Sequence, residues 1–341
     1  MFDRIIVPLD GSEFSRTALP YALAVARGHE CSVELVSSIE PGTPFERFAT
    51  GGGASGGAAG GPGVGGTLSA GIDSPETAEL IEMARRERES ELRAIAAEAA
   101  PESRGSSVSW AVLEGVPSDT IAYHVDAVDA DLVVMSTHGR GGIQRAWLGS
   151  VADRLVRRLA VPMLLVRPSE EAPGSRTTPA VARILVPLDG SPLAESILQP
   201  AGELALHLGA AVVLLRVLET GAYLGTPYLP EVAEQHEEHI EAVERQSKEY
   251  LDDVARRLEA RGVDVADTLL RSGAPAAVIE EVARHTAELI AMATHGRGGV
   301  QRLLLGSVSD KVLRGGTQPL LLLRPDEERP DEEPGAREPA P

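Results

Sequence analysis

Cysteine is almost absent from this sequence: its 341 residues hold one, Cys31. A single cysteine excludes an intramolecular disulfide and any C-x-x-C redox or zinc motif. Its place beside an apolar run reads as a small buried hydrophobe rather than a catalytic thiol. Aromatic residues make up 3%, too few for a surface that reads single-stranded nucleic acid by stacking. Positive charge is also short, with 32 Lys and Arg against 51 Asp and Glu and a formal net charge of -19. Such a balance repels phosphate backbones and keeps a chain dispersed in water. No stretch reaches the roughly 18 consecutive apolar residues of a membrane-spanning helix. The N-terminus, MFDRIIVPLDGSE, meets an acid at Asp3 with no signal-type apolar run before it. A cytoplasmic protein is therefore expected, with neither nucleic acid nor membrane as partner.

What the sequence does hold is a repeat of itself. Arg4-Ile-Ile-Val-Pro-Leu-Asp-Gly-Ser12 returns as Arg183-Ile-Leu-Val-Pro-Leu-Asp-Gly-Ser191, and Thr137-His-Gly-Arg-Gly-Gly-Ile-Gln-Arg145 as Thr294-His-Gly-Arg-Gly-Gly-Val-Gln-Arg302. Leu148-Gly-Ser-Val151 returns as Leu305-Gly-Ser-Val308, and Val161-Pro-Met-Leu-Leu-Val-Arg-Pro168 is echoed by Gln318-Pro-Leu-Leu-Leu-Leu-Arg-Pro325. Blocks matched in one order over so long a period mean a duplicated domain, not a solenoid. The expected organisation is a first domain at 1–168, a polar linker at 169–182, a second domain at 183–325 and an acidic, Pro-rich, disordered tail at 326–341. With hydrophobic residues at 43%, each domain can bury a sizeable core.

Within each copy the patterning alternates. Ile5–Leu9 predicts a buried strand, and Ser12 to Arg27 a helix that Pro20 starts late or kinks. Ser32–Ile39 predicts a strand, Pro75 to Ala100 a charged amphipathic helix, Val108–Leu113 a strand and Pro117–Val128 a helix. Leu132–Ser136 predicts a strand, the residues after Ser150 a helix, and Pro162–Val166 a last strand. Alternation of this kind predicts two tandem α/β domains, each a doubly wound parallel sheet of Rossmann type. The first copy adds a Gly-rich stretch at 51–66. It contains Gly51-x-Gly53-x-x-Gly56, but glycines this dense match any glycine pattern and no helix opens at Gly56, so a flexible loop is expected rather than a dinucleotide fingerprint.

Two places carry candidate chemistry. Pro8-Leu9-Asp10-Gly11 and Pro187-Leu188-Asp189-Gly190 end the first strand of each copy, where open α/β sheets bind ligands. Asp10 and Asp189 can accept hydrogen bonds from ribose hydroxyls; equally, they can build an Asp-Gly turn with Ser12 or Ser191 capping the next helix. The second place follows the fourth strand. His138-Gly139 precedes Gly149-Ser150 by nine residues, and His295-Gly296 precedes Gly306-Ser307 by nine. Glycines that turn backbone N–H groups inward, then a helix N-terminus, with Arg140 and Arg145 to add positive charge, make a phosphate cradle. The alternative is purely structural: Ser150-Val-Ala-Asp153 and Ser307-Val-Ser-Asp310 both read as capping boxes. There is no G-x-x-x-x-G-K-[ST]. His236-Glu-Glu-His239 misses the H-E-x-x-H spacing and reads as a solvated helix face.

In these blocks the chain resembles the universal stress protein family. V-P-L-D-G-S, T-H-G-R-G-G, L-G-S-V and the last strand recur in order and cover nearly all of both copies. The resemblance implies an adenine-nucleotide alpha-hydrolase-like fold and, through the G-x-x-G-x9-G-[ST] motif of the family's nucleotide-binding branch, ATP, with Mg2+ as its companion. It implies contacts from Pro8, Asp10, Ser136, His138, Gly139, Arg140, Gly142, Gly149, Ser150 and Val151. In the second copy the matching residues are Pro187, Asp189, Ala293, His295, Gly296, Arg297, Gly299, Gly306, Ser307 and Val308. The motif's first glycine is replaced by Ser136 and Ala293, which would be strained if that position needed positive φ. A stress-response module whose nucleotide state sets conformation or partner choice is expected, not a committed enzyme. The alternatives are an interaction scaffold that binds no nucleotide and a slow ATPase. The apolar last strands lead to the further expectation that the two copies pair through them, with a homo-oligomer or a protein partner beyond that.

Overall fold

The computed structural model describes residues 2–40, 75–103, 105–137, 148–168, 180–219, 230–294 and 305–325. The Gly-rich stretch, most of the linker, the tail and both T-H-G-R-G-G loops beyond their threonine lie outside the described residues. The chain divides into two compact units, Met1–Leu155 with Leu165–Pro179, and Val156–Leu164 with Ala180–Pro341.

The first repeat runs β1 (Arg4–Pro8), α1 (Glu13–Arg16), α2 (Leu19–Ala26), β2 (Ser32–Ile39), α3 (Pro75–Ala99), β3 (Ser107–Glu114), α4 (Pro117–Ala127), β4 (Leu132–Ser136), α5 (Ser150–Arg158) and β5 (Met163–Val166). The second runs β6 (Arg183–Pro187), α6 (Pro192–Glu195), α7 (Leu198–Leu208), β7 (Ala211–Leu218), α8 (Pro230–Glu259), β8 (Val265–Ser272), α9 (Pro275–Thr286), β9 (Leu289–Ala293), α10 (Ser307–Gly315) and β10 (Leu320–Leu323). The strand orders are β3-β2-β1-β4-β5 and β8-β7-β6-β9-β10. β1 lies between β2, with Ile5 opposite Val33, and β4, with Ile6 opposite Val133, both parallel. β6 stands likewise between β7 and β9. Ile5, Ile6 and Val7 are buried without interruption, as are Leu132 to Ser136. A strand buried on both faces reads as a continuous apolar run, so helices cover both sides of the sheet. The doubly wound architecture expected from the patterning is the one observed.

One expected helix is two. Ser12 to Arg27 breaks at Thr17–Ala18, leaving the four-residue α1 and then α2. Thr17 N–H bonds back to the carbonyl of Phe14 at 3.3 Å, a tightened three-residue step, and the Thr17 hydroxyl donates to the same oxygen at 2.6 Å. Pro20 sits in the first turn of α2, where no N–H is needed. The second repeat breaks identically, with Ser196 closing α6.

At the amino ends of the strands, a carboxylate ties the two central strands of each sheet together. Asp131 Oδ2, just before β4, accepts from the N–H groups of Asp3 and Arg4 at 2.9 Å each. Glu288 Oε2 does the same for Ala182 and Arg183 at 3.1 and 2.8 Å.

Candidate functional site

Strand order reverses between β1 and β4, and between β6 and β9. The chain winds outward from β1 through β2 to β3, then returns to the far side of β1. Connections therefore leave in opposite directions from the carboxyl ends of two neighbouring strands, and a crevice opens there. The described candidate residues of both places line these ends because β1 and β4 are parallel neighbours in register.

At the end of β1 the turn is built from Asp10 itself. Its Oδ1 accepts from the Ser12 N–H at 2.9 Å and the Ser12 hydroxyl at 2.6 Å. Ser12 caps α1 by accepting from the Ser15 N–H at 3.2 Å, and Gly11 takes φ 83. Asp189 repeats this, with Oδ1 bound by the Ser191 N–H at 2.8 Å and hydroxyl at 2.6 Å, Ser191 capping α6, and Gly190 at φ 80. The turn-building reading of these acids is thus realised in both copies. Both carboxylates remain half-buried at the crevice. Pro8 is buried beside them, and Pro187 is partly so.

At the end of β4, Ser136 and Thr137 are buried at 6% and 2% exposure, as are Ala293 and Thr294 at 7% and 1%. Among the described residues only Asp129 has positive φ without being glycine. Ser136 and Ala293 close ordinary strands, so replacing the motif glycine costs no backbone strain here. From Thr137 the carbonyl accepts the Gly149 N–H at 2.7 Å, and Thr294 accepts that of Gly306 at 2.7 Å. A Cβ at Gly149 would stand 3.2 Å from the Thr137 oxygen, so a side chain there would press on this bond. The bond seats the start of α5, or α10, directly on the end of the strand.

These helix starts overturn the capping-box expectation for α10. Its N-cap is Gly306, and no side chain caps it. Ser307 is one position too far in, because the Gly306 carbonyl already accepts the Asp310 N–H at 2.9 Å. Gly149 holds the same place before α5, its carbonyl accepting from Asp153 at 2.9 Å. Ser150 and Ser307 are exposed, and no hydrogen bond among the described residues engages either hydroxyl. Val151 and Val308 follow, half-exposed. First-turn amides without intrahelical partners, with a hydroxyl on the same turn, can bind an anion. His138, Gly139, Arg140 and Gly142 lie outside the described residues, as do His295, Gly296, Arg297 and Gly299.

Sequence reasoning passed over Gly115 and Gly273. They link β3 to α4 and β8 to α9 at φ 124 and 145, and their N–H groups bond to the carbonyls of Ile39 and Leu218 at 2.9 Å each. The repeated Gly-x-Pro of Gly115–Pro117 and Gly273–Pro275 was the signal available.

The sequence profile described as the universal stress protein family matches residues 67–167 and 181–324. A universal stress protein of Mycobacterium tuberculosis is 29% identical over 233 residues, covering 67% of this chain and 73% of its own length. One from Mycolicibacterium smegmatis is 25% identical over 323 residues, covering 94% of this chain and 97% of its own. Among solved structures, a universal stress protein from Archaeoglobus fulgidus superposes with a TM-score of 0.59 at 18% identity, covering 95% of this chain and 97% of that one. That likeness is one of fold.

Proposed function

The chain belongs to the universal stress protein family, and from that premise we propose that each repeat binds ATP or a related adenine nucleotide, whose presence sets conformation or partner choice in a cytoplasmic stress response. The observation that carries this reading is the exposed hydroxyl and uncapped first turn of α10, matched at α5 by the exposed Ser150, set at the strand-order reversal beside Asp10 or Asp189. A serine that caps its own helix has spent its hydroxyl; Ser307 has not. The first-turn amides and Ser150 or Ser307 would hold phosphate oxygens. Asp10 or Asp189 would accept from the ribose, and the buried Ser136 and Ala293 would leave room for close approach. Bound ATP with Mg2+ supplies a chemistry of charge and shape here; no residue is assigned a catalytic role.

Titration calorimetry with ATP, ADP and AMP at millimolar concentration is the test. Binding that weakens in Ser150→Ala and Ser307→Ala supports the reading, and no heat from any of the three nucleotides defeats it. One observation favours a scaffold that binds no nucleotide: Oδ1 of both Asp10 and Asp189 is already bonded within its own turn. Under that reading the purified protein carries no nucleotide, and the serine substitutions change nothing.

A further inference from the structure

In both units an ion pair ties the short helix after the first strand to the long helix, but the charges are exchanged. Arg16, the last residue of α1, places Nη2 3.0 Å from Glu91 Oε1 on α3. Glu195, the last residue of α6, places Oε2 2.9 Å from Arg257 Nη2 on α8. Arg16 and Glu195 occupy one position of the repeat, each equally far along the sequence from Asp10 or Asp189. The long helices share a register as well. The sequence of buried and exposed positions from Leu92 to Ala100 is the same as that from Leu251 to Glu259. Glu91 thus corresponds to Tyr250, and Glu98 to Arg257. Glu195 faces both Tyr250 and Arg257, positions two turns apart on one helix face. The matching face of α3 carries Glu91 and Glu98.

We propose that this inversion is a matching code by which each sheet accepts its own long helix and rejects the other. With α8 on the first unit, Arg257 would meet Arg16. With α3 on the second, Glu91 and Glu98 would meet Glu195. Both wrong pairings bring like charges together, and both right ones bring opposite charges together. Leu92, Ile95 and Ala96 match Leu251, Val254 and Ala255 closely, whereas Ala99 answers to Leu258, which packs over Gly202, so the charges act beside a difference in packing at that one position. Exchange of equivalent elements is a characteristic failure of repeated chains, and repulsion built against the wrong partner is an economical source of specificity. Part-exposed pairs of this kind add little stability. Their value lies in the difference between attraction and repulsion, which counts at both sites of an exchange. This inference is independent of nucleotide binding.

The test uses the full chain in a Cys31→Ser background with Arg93→Cys and Trp110→Cys. These two positions face each other between α3 and β3, the guanidinium lying 5.6 Å from the indole centre. A bifunctional maleimide then reports whether α3 sits on its own sheet after refolding from urea at low salt. Arg16→Glu with Glu195→Arg should lower the native cross-link about threefold or more and raise the share of larger species by size exclusion with light scattering. Both effects should fade as about 0.5 M salt shortens the screening length. Adding Glu91→Arg, Glu98→Arg and Arg257→Glu restores both helix-to-helix pairings with inverted sign, at the loss of the Arg88–Glu91 and Asp253–Arg257 pairs within the long helices, and should return most of the yield of the unmodified reporter. Arg16→Ala with Glu195→Ala removes attraction without rewarding exchange and should refold normally. The proposal is overturned if the inverted chain refolds like the reporter, if the alanine chain fails as badly, or if the five-fold variant is not rescued.

Discussion

At the scale of single residues, glycines separate conformational need from crowding. Gly115 takes φ 124, and a Cβ there would lie 2.9 Å from Thr120 Cγ2. Gly28 takes φ 81 with nothing within 4 Å. Gly115→Ala should therefore cost about 1–3 kcal/mol, strain and contact together, and Gly28→Ala about 1 kcal/mol from the backbone alone. Urea unfolding of the two variants compares them, and equal losses would show that the contact relaxes freely. Cys31 is buried, and burial first, then the nearby Asp3 charge, pushes its thiol above its ordinary value of 9.0, while a bond from Ser106 draws it back. A raised folded pKa contributes stability below the ordinary thiol range and loses it as pH climbs through the folded value. The thiol should react with a disulfide reagent at the rate of unfolding, and rapid labelling of native protein would contradict its burial. The candidate site divides along the same line. Asp10 and Asp189 were legible as both turn-builders and ligands, and the structure realises the turn. The free hydroxyl of Ser307 was not legible, because Ser-x-x-Asp spells a capping box wherever it occurs.

At the scale of elements, the four-residue α1 and α6 depend on their caps. Four residues make one turn, too short to persist by propensity. Ser12 holds this turn by its Oγ and is itself held by Asp10. Ser12→Ala should destabilise the first unit by about 0.5–2 kcal/mol, the usual worth of an N-cap. It should also loosen Asp10, visible as faster amide exchange at Ser15. Unchanged exchange there would mean that packing against β4, not the cap, fixes α1. By contrast, Ser307→Ala should leave stability within about 0.5 kcal/mol of the parent, since the hydroxyl caps nothing. Pro20 gave notice of the break in the predicted helix but not of its cause. That cause is the three-residue closure at Thr17, whose N–H and hydroxyl both bond to the Phe14 carbonyl.

At the scale of the whole molecule, charge dominates. A net charge of -19 repels itself, so raising salt from about 10 mM to about 150 mM should raise the melting temperature as the screening length falls toward ~8 Å. A fall instead would mean that ion pairs such as Arg16–Glu91 and Glu195–Arg257 outweigh the general repulsion. The duplicated site predicts a second whole-chain property: two nucleotides per chain at saturation, read by native mass spectrometry. A stoichiometry of one would make Ala293, the counterpart of Ser136, the first difference to exchange.

The sequence by itself determined the duplication, the alternation of strand and helix, the parallel sheet and the family. These follow from periodicity and local chemistry: continuous apolar strands, Pro at helix starts, and blocks that recur in order. Only tertiary structure decided which carboxylates tie the amino ends of the central strands at Asp131 and Glu288, which glycines take positive φ at Gly115 and Gly273, and which serine hydroxyls stay free. It alone revealed that one repeated position carries Arg16 in the first unit and Glu195 in the second with its partner's charge inverted to match. The reason is physical. Local pattern fixes what a segment becomes, whereas the partner of a side chain depends on residues that meet only after the sheet has assembled.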